Sequence, residues 1–275
     1  MPILHLLLVA IIQGATEFLP VSSSGHLVLL PALTGLDDQG LAIDVAVHVG
    51  TLGAVILYFW ADAKRALLGL PKVLRFQIDG PDAFLALALI IATIPVVIAG
   101  LIIKVTGLDE AMRSVAVIGW TMLIFGLVLY WADQTGKQDR TAESWTLRHA
   151  FTMGLWQVLA LIPGTSRSGI TITAARQLGY KREDAARLAM LMSIPTILAS
   201  GALLTLDVIS DANTALLRDG TIAAVFAFFA ALAALWIMMR LLRSISFTPY
   251  VIYRCALGLF LLWLAYFSEG FVPTL

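Results

Sequence analysis

The chain has 275 residues, of which 60% are apolar and 13% are charged, and its formal net charge is zero. Soluble domains carry roughly 25% charged residues, so this composition argues against an ordinary soluble enzyme. The balanced charge gives no electrostatic footprint for nucleic acid, and the single cysteine, Cys255, excludes a disulfide framework within the chain. We predict an all-α polytopic membrane protein.

The chain begins with an apolar segment, residues 3–19, that ends in a Pro-, Ser- and Gly-rich break at residues 20–25. Irregular backbone at membrane depth persists only where it is buried in protein or lines a watery cavity. We therefore predict a re-entrant helical hairpin over residues 3–34. A helix that spans a bilayer needs about 20 mainly apolar residues. Three such segments follow the hairpin, at residues 42–61, 83–104 and 113–132.

The second half of the chain repeats this order of elements. A linker at residues 133–148, which we predict to be cytoplasmic, leads to a second re-entrant hairpin at residues 149–178. The polar break Pro163–Gly169 interrupts that hairpin. Three more spans are predicted at residues 185–206, 221–242 and 249–268, which makes six full spans and two re-entrant hairpins.

The two halves align weakly in sequence. A shift of 143 residues places Pro20 on Pro163 and Ser23 on Ser166, and one extra residue then places Gly25 on Gly169 and Gly35 on Gly179. Each half crosses the membrane three times, an odd number, so the second half must be inverted relative to the first. The predicted inverted-topology repeats, which form one membrane domain, are residues 1–132 and 149–275.

The basic residues divide unevenly between the two sides of this topology. Of the 18 lysines and arginines, Arg167 lies in the second break, and Lys104, Arg113 and Arg218 fall on one side, which leaves 14 on the other. Cytoplasmic loops carry the excess of Lys and Arg, so the larger group marks the cytoplasm. Arg254 is counted in that group, near one end of its span, where we expect its guanidinium to snorkel.

Each polar break has one isolated charge beside it or within it. Glu17 is the only charged residue among residues 1–36, and Arg167 is the only one among residues 150–175. An ionisable residue at membrane depth is costly, and it indicates function by default. The structural alternative is that Glu17 and Arg167 pair only to lock the two halves together.

The first break combines a carboxylate, a histidine and hydroxyls. Gln13 and Glu17 are four residues apart, hence on one face of a helix, and three serines at 22–24 precede His26. A carboxylate with a histidine can perform general acid–base catalysis or hold a divalent cation. The hydroxyls are candidate nucleophiles or phosphate donors.

The second break has the composition of a phosphate cradle. Its glycines allow backbone N–H groups to approach a ligand closely, and a turn that feeds a helix N-terminus is a ready anion site. The forked guanidinium of Arg167 and the neighbouring hydroxyls complete a site for phosphate or diphosphate. The alternative is a helix-capping turn, which does not need the arginine.

Other polar residues receive a structural interpretation. The isolated histidines His5, His48 and His149 are predicted to be structural or interfacial, and Asp44 to cap a span. Gln157 is a weaker site candidate. The charged run at residues 181–184 is predicted to be an exposed connection between helices.

These segments resemble the undecaprenyl-diphosphate phosphatase family of bacterial membranes. The family motifs are [E/Q]-x-x-x-E, P-V-S-S-[ST]-G-H and P-G-x-S-R-S-G, which stand here as Gln13…Glu17, Pro20–His26 and Pro163–Gly169. The resemblance covers nearly the whole chain in length and in the order of segments. It implies removal of the terminal phosphate from undecaprenyl diphosphate, which recycles a lipid carrier of the cell wall and confers bacitracin resistance.

The resemblance also implies a location, a cofactor and site residues. The location is the bacterial cytoplasmic (inner) membrane, with the site open to the outer side, and the cofactor is a divalent cation, Mg or Ca. A homodimer is one oligomeric state compatible with the sequence. The implied catalytic residues are Glu17, Ser23, His26 and Arg167, with Glu17 also the candidate metal ligand. The candidate substrate-binding residues are Gln13, Ser22, Ser24, Gly164, Thr165, Ser166, Ser168 and Gly169.

Two points stay open at this stage. Because residue 13 is glutamine, the site has one carboxylate fewer, which weakens the case for a metal held by protein carboxylates alone. The alternative function is a polyprenyl-phosphate carrier or flippase, because inverted repeats with broken helices are also typical of carriers. The cluster of serine, histidine and arginine favours the phosphatase, because a carrier needs it less.

Overall fold

The computed structural model of the chain describes residues 2–34, 39–108, 112, 114–208 and 214–267. These residues form eleven α-helices, two short 3-10 helices at Ala142–Ser144 and Leu159–Leu161, and one isolated β-bridge between Arg140 and Tyr180. The α-helices are α1 (Ile3–Glu17), α2 (Ser23–Thr34), α3 (Leu41–Tyr58), α4 (Trp60–Leu74), α5 (Pro81–Thr106), α6 (Val115–Thr135), α7 (Leu147–Val158), α8 (Arg167–Gln177), α9 (Arg182–Val208), α10 (Thr214–Leu241) and α11 (Thr248–Phe267).

Six of the described helices are long and apolar enough to cross a membrane. They are α3, α5, α6, the Arg182–Ala202 part of α9, the Leu216–Leu241 part of α10, and α11. These helices confirm the number and order of the predicted spans. Their outer faces carry large apolar side chains, such as Ile98, Phe229 and Trp263, each more than half exposed. Apolar surface of this extent belongs in lipid, and the chain is a multi-pass membrane protein.

The first span is shorter than predicted. Helix α3 ends at Tyr58 rather than at residue 61, because the backbone turns at Phe59 and a separate helix, α4, begins at Trp60. The sequence analysis predicted no element there. Helix α4 packs closely on α5, and a Cβ atom added at Gly69 would collide with the Asp82 carbonyl. Helix α4 contains several charged residues, so a search for apolar spans does not find it.

Each half docks its first short helix on a long helix of the other half. Helix α1 packs on α10, and α7 packs on α5. Both contacts need a glycine: a Cβ at Gly14 would lie 2.5 Å from the Ala227 carbonyl oxygen, and one at Gly154 would lie 2.5 Å from that of Ala92. Helices α3 and α9 also pack together, as do α6 and α11. The two halves are therefore interleaved.

A buried charge network closes the side that carries most of the basic residues. Asp133, at the end of α6, accepts hydrogen bonds from Arg176 Nε at 3.0 Å and Arg182 Nε at 2.8 Å. Arg176 is fully buried and also donates to four backbone carbonyls: those of Asp133, Gly136, Lys137 and Tyr180. Three of these carbonyls lie at or just after the end of α6, where backbone carbonyls lack partners within the helix, and the fourth lies after α8.

The connection between α8 and α9 belongs to this network rather than to an exposed loop. Arg182 binds Asp133, and the Asp184 carboxylate accepts the Ala142 N–H at 2.8 Å, so the prediction of an exposed run at residues 181–184 is wrong for these two side chains. Beside them, burial raises the pKa of Tyr180 to about 12. The Tyr180 hydroxyl lies 2.7 Å from His149 Nδ1, which supports the structural interpretation of that histidine.

Candidate active site

The two polar breaks meet inside the protein. Arg167 Nη2 donates a hydrogen bond of 2.7 Å to Glu17 Oε1, which joins residues 150 positions apart in the sequence. The backbone of each break also binds a serine of the other. The Gly164 N–H donates to Ser24 Oγ at 3.2 Å, and Ser168 Oγ donates to the Leu19 carbonyl at 3.0 Å. The pairing of the two isolated charges, which the sequence raised as a question, is thus a feature of the fold.

The two breaks share an unusual backbone. Ser22 and Ser166 have φ angles of 69° and 70°, a region that non-glycine residues rarely occupy. In each break, this serine hydroxyl lies 3.1 Å from the hydroxyl two residues later, that of Ser24 or Ser168. By this local geometry Ser22 matches Ser166, and Ser23 matches Arg167, whereas the sequence shift of 143 residues places Ser23 on Ser166.

Glycine is required in the second break. Gly164 has φ +86°, and a Cβ atom there would collide with the Thr121 hydroxyl. That hydroxyl donates to the Pro163 carbonyl at 2.6 Å. At the other end of the break, Ser166 Oγ accepts the Gly169 N–H at 3.1 Å and caps helix α8. The break therefore caps a helix, as the alternative interpretation predicted, and its arginine also pairs with Glu17.

A polar cavity of about 230 Å³ lies between the breaks. Its walls come from the end of α1, the first break, α3, the 3-10 helix Leu159–Leu161, the second break and α9. The lining residues are Glu17, Ser22, Ser23, Ser24, His48, Ala160, Gly164, Ser166, Arg167, Thr196, Ile197 and Ser200. The sequence analysis missed the contribution of α9. The available signal was the spacing of Ser193, Thr196 and Ser200, which places hydroxyls on one face of an apolar helix.

Glu17 is the hub of the described contacts in this cavity. Besides Arg167, its carboxylate accepts Gln13 Nε2 at 2.7 Å and Ser23 Oγ at 3.3 Å, and its side chain is 8% exposed. Arg167 is held from its other side, since Nη1 donates to the Ser193 carbonyl at 3.1 Å. The nearest described base for the Ser23 hydroxyl is therefore the Glu17 carboxylate.

His26 lies apart from this cluster. Its Nδ1 is 2.8 Å from the Ser22 carbonyl, so Nδ1 carries the hydrogen and donates, and its Nε2 is 2.5 Å from the Tyr253 hydroxyl. The His26 and Tyr253 rings also stack. Among the described residues, no hydrogen bond joins His26 to Ser23, and His26 does not line the cavity. The structure brings Ser23 to Glu17 rather than to His26.

His48 is the histidine that the cavity contains. Its Nε2 lies 3.1 Å from Gln13 Nε2 and 3.8 Å from Glu17 Oε2. His48 is therefore not the isolated residue that the sequence indicated: it contacts Gln13 and lines the cavity. The sequence concealed this contact because α3 is apolar around His48, and its orientation toward α1 depends on packing between the helices. Asp44, one turn earlier, lies in the first turn of α3, which begins after Gly40.

Arg254 is the second residue that sequence reasoning misplaced. It does not snorkel: it is fully buried, and it donates to the carbonyls of Gly164 at 3.1 Å and Thr165 at 2.8 Å. Its other nitrogens reach the carbonyls of Pro20 at 3.5 Å and Met122 at 3.3 Å. Irregular backbone leaves carbonyls that need donors, and Arg254 supplies them to both breaks at once.

The remaining predicted residues lie around the cavity. Thr165 is fully buried beneath the second break. Gln157, the weaker candidate, is fully buried between helices: its Nε2 donates to the Ala92 carbonyl and its Oε1 accepts from Thr196, both at 3.4 Å. Gln157 does not line the cavity.

Within the described ranges, no group of three or more His, Cys, Asp or Glu side chains could hold a metal ion. Glu17 is the one carboxylate in the cavity wall, and its two oxygens already accept bonds from Arg167, Gln13 and Ser23. A divalent cation normally takes six or more oxygen ligands.

Comparison with known proteins identifies the family. Residues 6–260 match the family described as bacitracin resistance protein BacA. The chain belongs to the BacA family. Relatives named undecaprenyl-diphosphatase include those of Roseobacter denitrificans, 71% identical, and Dinoroseobacter shibae, 68% identical, each aligned over 97% of this chain and 100% of the relative. A more distant relative of the same name, from Alteromonas mediterranea, is 46% identical over the same shares.

The BacA match confirms the family resemblance noted from the two motifs. It includes five of the spanning helices, α11 as far as residue 260, and both polar breaks, so the matched region contains every lining residue of the cavity.

Proposed function

We propose that the chain is an integral membrane phosphatase that hydrolyses undecaprenyl diphosphate to undecaprenyl phosphate and inorganic phosphate, and so recycles a lipid carrier of cell-wall synthesis. The observation that carries this proposal is the Glu17–Arg167 pair, which closes a hydroxyl-lined cavity between two polar breaks. The shared name of relatives at 65–71% identity supports the same substrate and reaction.

The cavity is suited to an anion of the size of a diphosphate head group. Helices α2 and α8 both begin at its wall, at Ser23 and Arg167. The first N–H groups of a helix lack partners within the helix, and the N-terminal end of its dipole is positive. Two such ends, together with the Arg167 fork, form an anion site. In this arrangement, the polyprenyl tail lies between the helices and the lipid.

The chemical step follows from the contacts of Ser23. Its hydroxyl attacks the terminal phosphorus, or positions a water that does, and the proton passes to Glu17, which already accepts this hydrogen bond. The bond from the terminal phosphorus to the bridging oxygen breaks, and undecaprenyl phosphate leaves. If Ser23 itself attacks, water then releases inorganic phosphate from the serine. Arg167 and the N–H groups of both breaks stabilise the charge on the transferred group, since phosphoryl transfer depends mainly on positioning and electrostatics.

For His26 we propose a role beside the reaction. Its bonds to the Ser22 carbonyl and the Tyr253 hydroxyl fix the turn that presents the three serines. To act as the base for Ser23, or as an acid for the leaving group, the ring would have to leave Tyr253. The contacts in hand therefore favour Glu17 as the base and His26 as the support of the turn.

A divalent cation, Mg or Ca, is proposed as a partner of the substrate rather than of the protein. Diphosphate oxygens supply ligands that the cavity wall lacks, with Glu17 contributing at most one. We therefore expect a chelator to stop phosphate release without lowering the melting temperature of the purified protein. Both quantities can be measured on one sample in detergent. A fall in melting temperature on chelation would indicate instead a cation held by the folded chain.

We also propose that both hairpins are re-entrant, that the halves are inverted repeats, and that the protein lies in the inner membrane with its cavity open to the outer side. The reciprocal docking of α1 on α10 and of α7 on α5 supports the repeat. Single cysteines placed at Lys72 and Lys104 in a Cys255→Ala background test the orientation. An impermeant thiol reagent applied to intact cells should label the second position and not the first.

The decisive experiment is phosphate release from undecaprenyl diphosphate by the purified protein in detergent. Glu17→Gln should lower the rate at least about 100-fold, the usual contribution of a general base. Glu183→Gln is the matched control, because that carboxylate is 44% exposed and lies outside the cavity. If the folded wild-type protein released no phosphate, the phosphatase proposal would be wrong, and the carrier function would replace it.

A further inference from the structure

A continuous series of hydrogen bonds runs from α3 to the second break. His48 Nδ1 lies 2.7 Å from the Asp44 carbonyl, and His48 Nε2 lies 3.1 Å from Gln13 Nε2. Gln13 Nε2 then lies 2.7 Å from Glu17 Oε2, and Glu17 Oε1 lies 2.7 Å from Arg167 Nη2. Four side chains from three helices are thus linked around one carboxylate.

The direction of every bond in this series is fixed from its two ends. A backbone carbonyl can only accept, so His48 Nδ1 carries a hydrogen; because His48 Nε2 faces the Gln13 amide nitrogen, which only donates, Nε2 is the acceptor. Arg167 can only donate, so Glu17 accepts from that side. Gln13 joins the two, because its amide nitrogen has two hydrogens: one is donated to Glu17 and the other to His48.

The orientation of the Gln13 amide depends on these two acceptors alone. Gln13 is fully buried, and its Oε1 has no hydrogen-bond partner among the described atoms. Nothing on the oxygen side therefore resists a rotation that exchanges the oxygen and nitrogen of the amide. Such a rotation would point Oε1 at the Glu17 carboxylate and repel it. The lone pair of His48 Nε2 and the Glu17 carboxylate therefore favour the same orientation of the amide, and His48 is the acceptor that fixes its direction on the α3 side.

We propose that His48 is a positioning residue of this site: it orients Gln13, which in turn holds Glu17 Oε2 toward the Ser23 hydroxyl. This inference rests on the phosphatase function proposed above. In this arrangement, His48 acts as a hydrogen-bond acceptor and not through a proton of its own. A side chain that places an acceptor at the Nε2 position should replace it.

The test is a set of substitutions at residue 48, assayed by phosphate release from undecaprenyl diphosphate in detergent. The amide oxygen of glutamine reaches about as far as histidine Nε2, whereas that of asparagine stops near Nδ1. We expect His48→Gln to keep most of the activity, and His48→Asn and His48→Leu to lose about 10- to 100-fold in kcat, the loss that a misplacement of about 1 Å can cause. His5→Leu is the matched control, because that histidine is buried on α1 away from the cavity.

A double-mutant cycle with Gln13 separates positioning from a general structural effect. In a Gln13→Leu background, His48→Leu should cost little further activity, because its partner is already absent. The proposal is overturned if His48→Gln is as inactive as His48→Leu, or if the losses from Gln13→Leu and His48→Leu multiply. Should His48→Leu fail to fold, the comparison of glutamine with asparagine still decides. A folded wild type without phosphate release would instead overturn the phosphatase function itself.

Discussion

The two polar breaks have the same backbone and opposite chemistry. Each contains a serine with φ near +70°, a second serine two residues later within 3.1 Å of it, and a helix that starts between them. Each also contacts the other break through that second serine, Ser24 or Ser168. Both breaks keep these backbone and serine features although their other side chains differ. We therefore take these features to be the scaffold of the cavity.

The difference between the breaks is confined to a few side chains. At the position after the strained serine, the first break has Ser23 and the second has Arg167. The first half alone adds a carboxylate, Glu17, to the cavity wall. In the proposed mechanism, the first half supplies the nucleophile Ser23 and the base Glu17, and the second half supplies Arg167, the cation that stabilises the phosphoryl group.

The cation of the second break is where we expect the largest effect. Arg167→Lys keeps the charge but loses the fork that reaches both the Glu17 carboxylate and the Ser193 carbonyl. We expect phosphate release to fall about 100- to 1,000-fold, as when one preorganised donor is removed from an active site. Arg243→Lys, at a side chain that is 74% exposed, is the matched control. Near wild-type release by folded Arg167→Lys would contradict the division of roles between the breaks.

Sequence reasoning located the spans, both breaks and the pair Glu17–Arg167. It succeeded because charge is scarce in this chain, so an isolated acid or arginine beside a polar break is conspicuous. The six apolar helices are likewise visible from length and composition alone. The features that depend on local composition, which are the spans, the breaks and the isolated charges, could therefore be predicted from the sequence.

The misplaced residues depend on how helices pack. His48 and Arg254 each stand on an apolar helix, and nothing local states which face meets a neighbour. Arg254 lies six residues after the start of α11. An arginine at this depth can either extend its guanidinium to the membrane surface or be buried in the protein. The shift of 143 residues matches the prolines of the two breaks, but Pro20 lies two residues before Ser22 and Pro163 lies three residues before Ser166, so matching prolines does not match the serines of positive φ.

A substitution of Arg254 removes hydrogen bonds to both polar breaks at once. Arg254→Met removes the donors that serve Pro20 in the first break and Gly164 and Thr165 in the second. Leaving buried carbonyls without partners costs about 1–3 kcal/mol each. We expect a loss of about 3 kcal/mol or more in the free energy of unfolding, measured by denaturation in detergent. A change below about 1 kcal/mol would show that Arg254 does not hold the breaks.

The docking glycines test whether the halves pack equivalently. A Cβ atom at Gly14 or Gly154 would lie 2.5 Å from a backbone carbonyl oxygen, which cannot move as a flexible side chain can. Overpacking of this kind costs about 1–3 kcal/mol. We expect Gly14→Ala and Gly154→Ala to lower stability by similar amounts. Gly201→Ala is the matched control, since a Cβ there meets nothing within 4 Å. A large loss at one glycine only would mean that one docking contact dominates.

The smallest effect concerns the strained serines themselves. Glycine and alanine both lack the hydroxyl, so the difference between them at one position isolates the cost of a positive φ, about 1–2 kcal/mol. We expect Ser22→Gly to be more stable than Ser22→Ala, and the same preference between the glycine and alanine variants of Ser166. At Ser200, which is helical, alanine should be the more stable by about 1 kcal/mol. A preference for glycine at only one break would mean that the serine of the other break does not keep a positive φ in solution. The backbone feature that the two breaks share would then be absent from one of them.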